Sequence, residues 1–138
     1  MTNIFAYGSL MIPDVMRAVT GRDFRFVPAF LRNHARYRVR GESYPGIIQE
    51  KGAMTPGLLY FDLDHDAVKR LDQFEGPWYE RTPVKTETGE EKILKAETYL
   101  FKPEYRGLLT RNLWDLETFE RKHLRTFMEN YKGFRECR

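Results

Sequence analysis

The chain has 138 residues, of which 41% are hydrophobic, 14% aromatic and 31% charged, and its net charge is +3. This length is enough for one domain with a buried core, and no apolar run is long enough to predict a membrane-spanning helix. A positive charge of this size is common and does not by itself indicate a nucleic-acid partner. Cys137, the only cysteine, allows no internal disulfide, and the N-terminal residues lack the pattern of a signal peptide. We therefore predict a single cytoplasmic domain over residues 1–138.

The first 40 residues predict one short helix among strands. Residues 4–7 are apolar and stop at Gly8, which predicts a short buried strand. Residues 14–19 carry apolar side chains at helical spacing and predict a helix, and residues 24–31 predict another strand. Residues 31–40 alternate between basic and apolar side chains, which predicts a strand with a basic outer face. This outer face would carry Arg32, His34, Arg36, Arg38 and Arg40.

The middle of the chain predicts a helix that ends on a carboxylate. Asp64 is expected to cap its N-terminus, residues 67–74 place an apolar stripe on one face, and Gly76 ends it. Glu75 then falls at the negative end of the helix dipole and among apolar neighbours, so we expect its pKa to be raised. Such a glutamate can accept and donate a proton near neutral pH. A solvated glutamate at a helix end is the alternative, and the residues alone do not decide between the two.

The other elements set the fold class. Residues 54–62 predict a buried strand, and residues 79–87 and 91–101 predict a β-hairpin. An amphipathic helix is expected over residues from about 112 to 132. Because strands follow one another with few helices between them, we predict an α+β fold with a curled, mostly antiparallel or mixed sheet.

The turn at residues 7–10, Tyr7-Gly8-Ser9-Leu10, is a second candidate for a functional site. Gly8 allows the backbone to approach a ligand closely, and a turn after a buried strand exposes N–H groups that can hold an oxyanion or a carboxylate. An ordinary strand-ending turn explains the same residues. The three histidines lack metal-ligand spacing, so no metal site is predicted, and the sequence has no phosphate-binding loop or serine-nucleophile motif.

Four motifs, in this order and at these separations, resemble a known family. They are Tyr7-Gly8-Ser9-Leu10, Tyr44-Pro45-Gly46, Gly57-x-x-Tyr60 and Leu71-Asp72-x-Phe74-Glu75-Gly76-x-x-Tyr79-x-Arg81. Together they span roughly residues 3–101 and are similar to the gamma-glutamylcyclotransferase-like superfamily. The resemblance points to the branch that holds the plant AIG2-like proteins and gamma-glutamylamine cyclotransferase.

The resemblance implies a small closed or nearly closed β-barrel with flanking helices and a pocket at one mouth. It also implies that the alpha-amine of a gamma-glutamyl substrate attacks the side-chain carbonyl of the same molecule, giving 5-oxoproline and a free amine without a cofactor. Glu75 would be the catalytic residue, moving protons as base and then as acid. The residues implied to bind the substrate are Tyr7, Gly8, Ser9, Leu10, Tyr44 and Tyr79, with Tyr99 as a further candidate for the pocket wall.

Two alternatives stay open beside this enzyme. The same fold could hold a small acidic metabolite without turning it over, or the basic residues of 32–40 could bind nucleic acid or a protein partner. Our expectation is a small-molecule gamma-glutamyl substrate, with neither nucleic acid nor a membrane as partner. The sequence does not identify the released amine or the oligomeric state.

Overall fold

The computed structural model describes residues 1–89 and 91–129. In these ranges five strands close into a barrel, and a sixth pairs with the C-terminal part of one of them. The strands are β1 (Thr2–Ala6), β2 (Phe26–Val39), β3 (Pro45–Leu63), β4 (Tyr79–Thr88), β5 (Ile93–Phe101) and β6 (Leu109–Leu113). They are ordered β3-β1-β5-β4-β2-β6, and the pairing of β2 with β3 closes the barrel. Strands β1 and β5 run parallel, whereas the other described pairs are antiparallel. The predicted α+β class with a mixed barrel is confirmed.

Helices cover the outside of the barrel. They are α1 (Pro13–Thr20), α2 (His65–Glu75) and α3 (Leu116–Lys122), followed by a helical segment at 124–129, with 3-10 turns at Ser9–Met11 and Pro103–Leu108. The Asp64 carboxylate caps α2 by accepting the N–H of Ala67 at 2.9 Å. Gly76, at φ 84°, ends the same helix and donates its N–H to the Asp72 carbonyl. Both predicted signals of this helix are therefore confirmed. No helix of the described ranges is long and apolar enough to cross a membrane.

The core has two parts because side chains on a strand alternate between its faces. On β1, Phe5 packs inside the barrel with Leu31 of β2 and Leu59 of β3. The neighbouring Ile4 points the other way and packs beneath the helices, with Leu71 of α2 among its partners. The barrel thereby holds the end of β1 and the end of α2 at fixed positions on the same core.

The predicted basic outer face of residues 31–40 is wrong at two positions. His34 is only 8% exposed, and Arg36 is half-buried. The pairing register between β2 and β3 shifts between Arg32 and His34, where Asn33 takes a positive φ of 60° and its side chain accepts the N–H of Gly52. A regular two-residue repeat cannot continue through such an irregularity.

The C-terminal helix begins later than predicted. Residues near 112 belong to β6, in which Leu113 lies opposite Tyr37 of β2. The helix α3 starts only after Asp115, whose carboxylate accepts the N–H of Thr118 at 3.0 Å. The cap at Asp115, rather than the apolar periodicity of the residues before it, sets the start of the helix. The predicted end, at about residue 132, lies outside the described residues.

Candidate active site

A pocket of about 150 Å³ opens where β1 ends beside the C-terminus of α2. It brings Glu75 together with the turn at residues 7–10, although the two are far apart in sequence. All the residues that the resemblance implied for the site line this one pocket, Tyr99 included. The lining consists of Phe5, Ala6, Tyr7, Gly8, Ser9, Leu10, Tyr44, Pro45, Phe74, Glu75, Tyr79, Tyr99 and Phe127.

The turn after β1 carries unpaired main-chain donors. Its 3-10 geometry pairs the N–H of Met11 with the Gly8 carbonyl at 2.9 Å and the N–H of Ile12 with the Ser9 carbonyl at 3.0 Å. Within the described residues, the N–H groups of Ser9 and Leu10 have no acceptor, as expected for the first positions of such a turn. Both residues are buried, so these donors need an oxygen from a ligand or from water.

Hydrogen bonds to three strands fix the turn. The Tyr60 hydroxyl of β3 donates to the Leu10 carbonyl at 2.6 Å, and the Arg36 guanidinium of β2 donates to the Tyr7 carbonyl at 2.7 Å. The Tyr7 hydroxyl donates to the carbonyl of Tyr99 on β5. Because the turn is held before a ligand arrives, its donors can act on a substrate without reorganising.

The aromatic wall is held in the same manner. The Tyr79 hydroxyl donates to the Pro45 carbonyl at 2.7 Å, which ties the start of β3 to β4. The Tyr99 hydroxyl donates to Oδ1 of Asp72 at 2.7 Å. Burial raises the pKa of Tyr7, Tyr79 and Tyr99 and raises the pKa of Tyr44 to about 12, so that all four are neutral near pH 7. The wall therefore offers shape and polar contacts to a ligand but no charge.

Among the described residues that line this pocket, Glu75 is the carboxylic acid. Burial, followed by the negative charge of Asp72, raises its pKa from 4.5 to about 8. No hydrogen bond from the described residues reaches its carboxylate, which leaves both oxygens available to a ligand. The predicted direction of the pKa shift and the predicted contribution of the apolar surroundings are confirmed, whereas the contribution of Asp72 was missed. A carboxyl group with this pKa can exchange a proton near neutral pH.

Sequence reasoning also missed the apolar cover of the pocket. Phe127, in the segment 124–129, lies edge-on to Phe74 with 5.9 Å between ring centroids and packs 5.5 Å from Phe119. Its helical spacing predicted a core residue, since periodicity identifies the apolar face of a helix but not the element that this face meets. The influence of Asp72 on the pKa of Glu75 could have been predicted from the sequence, because residues three apart on a helix are neighbours.

The described residues include no group of three or more His, Cys, Asp or Glu side chains that could hold a metal ion. The groups that line the pocket are the Glu75 carboxyl group, the main-chain donors of the turn and the aromatic wall.

Over residues 4–117, the chain matches the model of the family described as gamma-glutamyl cyclotransferase, AIG2-like. The chain belongs to this family. It is 33% identical to AIG2-like protein D of Arabidopsis thaliana over 143 residues, covering 99% of this chain and 90% of that protein. It is 32% identical to AIG2-like protein B of the same plant, covering 97% of this chain and 78% of the relative.

Solved structures of similar proteins have the same fold. A solution structure of an Arabidopsis thaliana protein, 28% identical, superposes with a TM-score of 0.70 over 99% of this chain and 91% of the other. A gamma-glutamyl cyclotransferase that is 18% identical superposes with a TM-score of 0.67, covering 95% and 86% of the two chains. The closed mixed barrel with flanking helices is thus the fold of the gamma-glutamyl cyclotransferase family.

Proposed function

We propose that this protein is a gamma-glutamyl cyclotransferase that converts a gamma-glutamyl amine or gamma-glutamyl amino acid into 5-oxoproline and a free amine. The observation that carries the proposal is the meeting of Glu75, with its raised pKa, and the unpaired N–H groups of Ser9 and Leu10 in one pocket. Membership of the family supports the reaction type, and the chemistry of these groups supports the roles below.

The proposed reaction needs one group that moves protons. Ionised Glu75 accepts a proton from the alpha-ammonium group of the substrate, and the resulting amine attacks the gamma carbonyl. A new C–N bond closes the five-membered ring, and the original amide C–N bond breaks. Protonated Glu75 returns its proton to the departing nitrogen. The ring nitrogen carries two protons after the attack, and it loses one of them to the released amine through the ionised Glu75 carboxylate. A pKa of about 8 suits both steps, because ionised and protonated Glu75 are both populated near neutral pH.

The main-chain donors are proposed to stabilise the negative charge that develops in the transition state. When the amine attacks, the carbonyl oxygen becomes an oxyanion, and the N–H groups of Ser9 and Leu10 are proposed to hold this oxygen or the alpha-carboxylate. The nucleophile belongs to the substrate itself. The pocket therefore accelerates the reaction chiefly by holding the chain of the gamma-glutamyl group in the conformation that closes the ring. The rigid tyrosine wall provides that restraint.

The partner that we propose is a small molecule rather than nucleic acid or a membrane. The predicted basic face is interrupted, because His34 and Arg36 are buried or half-buried and Arg32 is paired with Glu87. A cytoplasmic location remains our prediction.

The substitution Glu75→Gln tests the assigned role. It keeps the size of the side chain but removes its ability to take up a proton. We expect the rate of 5-oxoproline release from a panel of gamma-glutamyl amides to fall by roughly 10²-fold or more, the usual worth of a general acid–base. The release is followed chromatographically for the wild type and the variant.

The matched control is Glu80→Gln, which makes the same chemical change at an exposed position on β4. This variant is expected to keep the wild-type rate. Equal rates for the wild type and Glu75→Gln would refute the role of Glu75. If the wild type binds 5-oxoproline in a calorimeter but turns over no member of the panel, the protein is instead a binding protein for a small acidic metabolite.

A further inference from the structure

Asp72 lies one helical turn before Glu75 and links the pocket to the surface. Residues three apart on a helix are neighbours, so α2 brings the side chains of Asp72 and Glu75 to the same side of the helix. Oδ1 of Asp72 accepts the Tyr99 hydroxyl at 2.7 Å and the Nε–H of Arg81 at 2.9 Å. Arg81 in turn contacts Glu97 at 2.6 Å. Asp72 is thus held by β4 and β5 while it stands beside the acid of the pocket.

Tyr99 gives these contacts a consequence for the pocket. Its ring lines the pocket, its hydroxyl is bound to Asp72, and its carbonyl accepts the Tyr7 hydroxyl at the start of the substrate-binding turn. A chain of hydrogen bonds therefore runs from Asp72 through Tyr99 to Tyr7. The ion pair between Arg81 and Asp72 does not explain these hydrogen bonds, because the pair is half-exposed and could form anywhere on the surface.

We propose that Asp72 is a positioning residue that holds Tyr99 in the pocket wall and keeps a second negative charge beside the Glu75 carboxylate. The inference rests on the proposed function, since it assigns Asp72 a part in the proton transfers of Glu75. A neighbouring negative charge favours the protonated form of a carboxyl group. In agreement, Asp72 is the second cause, after burial, of the raised pKa of Glu75.

The other titratable groups that face Glu75 carry no charge near neutral pH. They are Tyr7 after β1, Tyr44 before β3, Tyr79 on β4 and Tyr99 on β5, and the pKa of each is raised. Arg81, the cation of the cluster, is bound to Asp72 and Glu97 rather than to Glu75. Among the described residues, Asp72 is therefore the charge whose removal should change the titration of Glu75.

The experiment compares the titration of Glu75 in the full-length wild type and in Asp72→Asn. The Glu75 carboxyl resonance of carbon-13-labelled protein is assigned by its loss in Glu75→Gln. We expect Asp72→Asn to lower the pKa of Glu75 by roughly half a unit to one unit, the worth of a nearby charge in a partly solvated site. The acidic limb of the kcat/KM profile for 5-oxoproline release should move to lower pH by the same amount.

Two further substitutions at position 72 separate its two tasks. Asn retains an oxygen that can accept the Tyr99 hydroxyl, whereas Asp72→Ala removes both the charge and the acceptor. Asp72→Ala should lower the pKa of Glu75 as much as Asp72→Asn does, and it should also raise KM. If Asp72→Asn does not fold, the titration of Glu75 is measured in Asp72→Ala instead. The conservative Asp72→Glu keeps the charge and should retain most of the wild-type pKa of Glu75.

Asp66→Asn is the matched control. It removes one carboxylate from the exposed first turn of the same helix, about 13 Å from Glu75 along the axis, and should leave the titration of Glu75 unchanged. Identical titrations of Glu75 in the wild type and Asp72→Asn would overturn the proposal. A loss of activity that is uniform over pH would overturn it too, because it indicates a structural role alone. If Asp72→Asn shifts the titration of Glu75 but the wild type releases 5-oxoproline from no substrate, the interaction between Asp72 and Glu75 is supported and the proposed reaction is refuted.

Discussion

The contact between Gly8 and Pro45 closes one side of the pocket at the scale of single residues. A Cβ atom at position 8 would lie 3.1 Å from both Cγ and Cδ of the Pro45 ring. Pro45 cannot withdraw freely, because its carbonyl accepts the Tyr79 hydroxyl. Gly8 itself has a φ of −122°, which other residues also adopt. Crowding by the first residue of β3 therefore disfavours any side chain larger than that of glycine here.

Gly8→Ala should accordingly disturb the pocket more than the fold. The added methyl group pushes Pro45 away, at a cost of about 1–3 kcal/mol in the free energy of unfolding, and misplaces the donors of the turn. We expect a reduced kcat/KM for 5-oxoproline release and a lower midpoint of urea denaturation. Gly107→Ala is the control, because a Cβ at that position meets no atom within 4 Å. Equal behaviour of the two variants would contradict this account.

At the scale of elements, the C-terminal segment forms part of the site. Trp114, between β6 and α3, donates its indole N–H to the Ser43 carbonyl at 2.7 Å and so holds the loop that carries Tyr44. Further on, the helical segment 124–129 brings Phe127 against Phe74 at the edge of the pocket. Residues from the C-terminal part of the chain thus support a cavity whose candidate reactive groups come from the turn after β1 and from α2.

Phe127→Ala should open this edge of the pocket. Phe127 lines the pocket, and an apolar contact of its ring with a bound substrate is worth about 1 kcal/mol, so we expect KM for gamma-glutamyl substrates to rise roughly fivefold or more. The value of kcat should change less, since Phe127 bears no group that exchanges protons. Steady-state kinetics measure both. Phe30→Ala, on β2 and outside the pocket lining, provides the comparison and should leave KM unchanged; a similar rise in both variants would argue against the assigned position of Phe127.

At the scale of the whole molecule, closure of the barrel makes stability depend on the ionisation of Glu75. The barrel closes tightly, since a Cβ at Gly57 of β3 would lie 2.3 Å from the Ala6 carbonyl of β1. This closure fixes the end of β1 beside the end of α2 and encloses the carboxyl group between them. A group whose pKa is raised by folding binds its proton more tightly in the folded than in the unfolded state.

The free energy of unfolding should therefore fall as pH rises between 4.5 and about 8, the ordinary and the folded pKa values of Glu75. Below this range Glu75 is protonated in both states, and above it Glu75 is ionised in both. Within the range, the unfolded chain loses its proton first, which costs the folded state up to about 1.4 kcal/mol per pH unit. Urea denaturation of the wild type and Glu75→Gln across this range measures the difference. Parallel curves for the two proteins would contradict the raised pKa.

Features that depend on neighbours in the chain were predictable. Asp64 and Gly76 mark the ends of α2 through contacts within the same helix, and a period of two residues identifies the β4–β5 hairpin. The direction of the Glu75 pKa shift was predictable from the apolar residues around it, since burial is its largest cause. The family motifs contain most of the residues that line the pocket. Taken singly, the same residues are equally consistent with a functional site and with ordinary turns.

The sequence alone predicted most of the elements, the fold class through its motifs, and Glu75 and the turn at residues 7–10 as the candidate site. Only the tertiary structure decided which distant residues surround them. The burial of His34 depends on the changed register between β2 and β3, the place of Phe127 depends on how the chain returns over α2, and the bond from Tyr99 to Asp72 joins residues 27 positions apart. The physical reason is that caps and periodicities act within a few residues, whereas register, packing and the charges around a carboxylate are set only when the barrel closes.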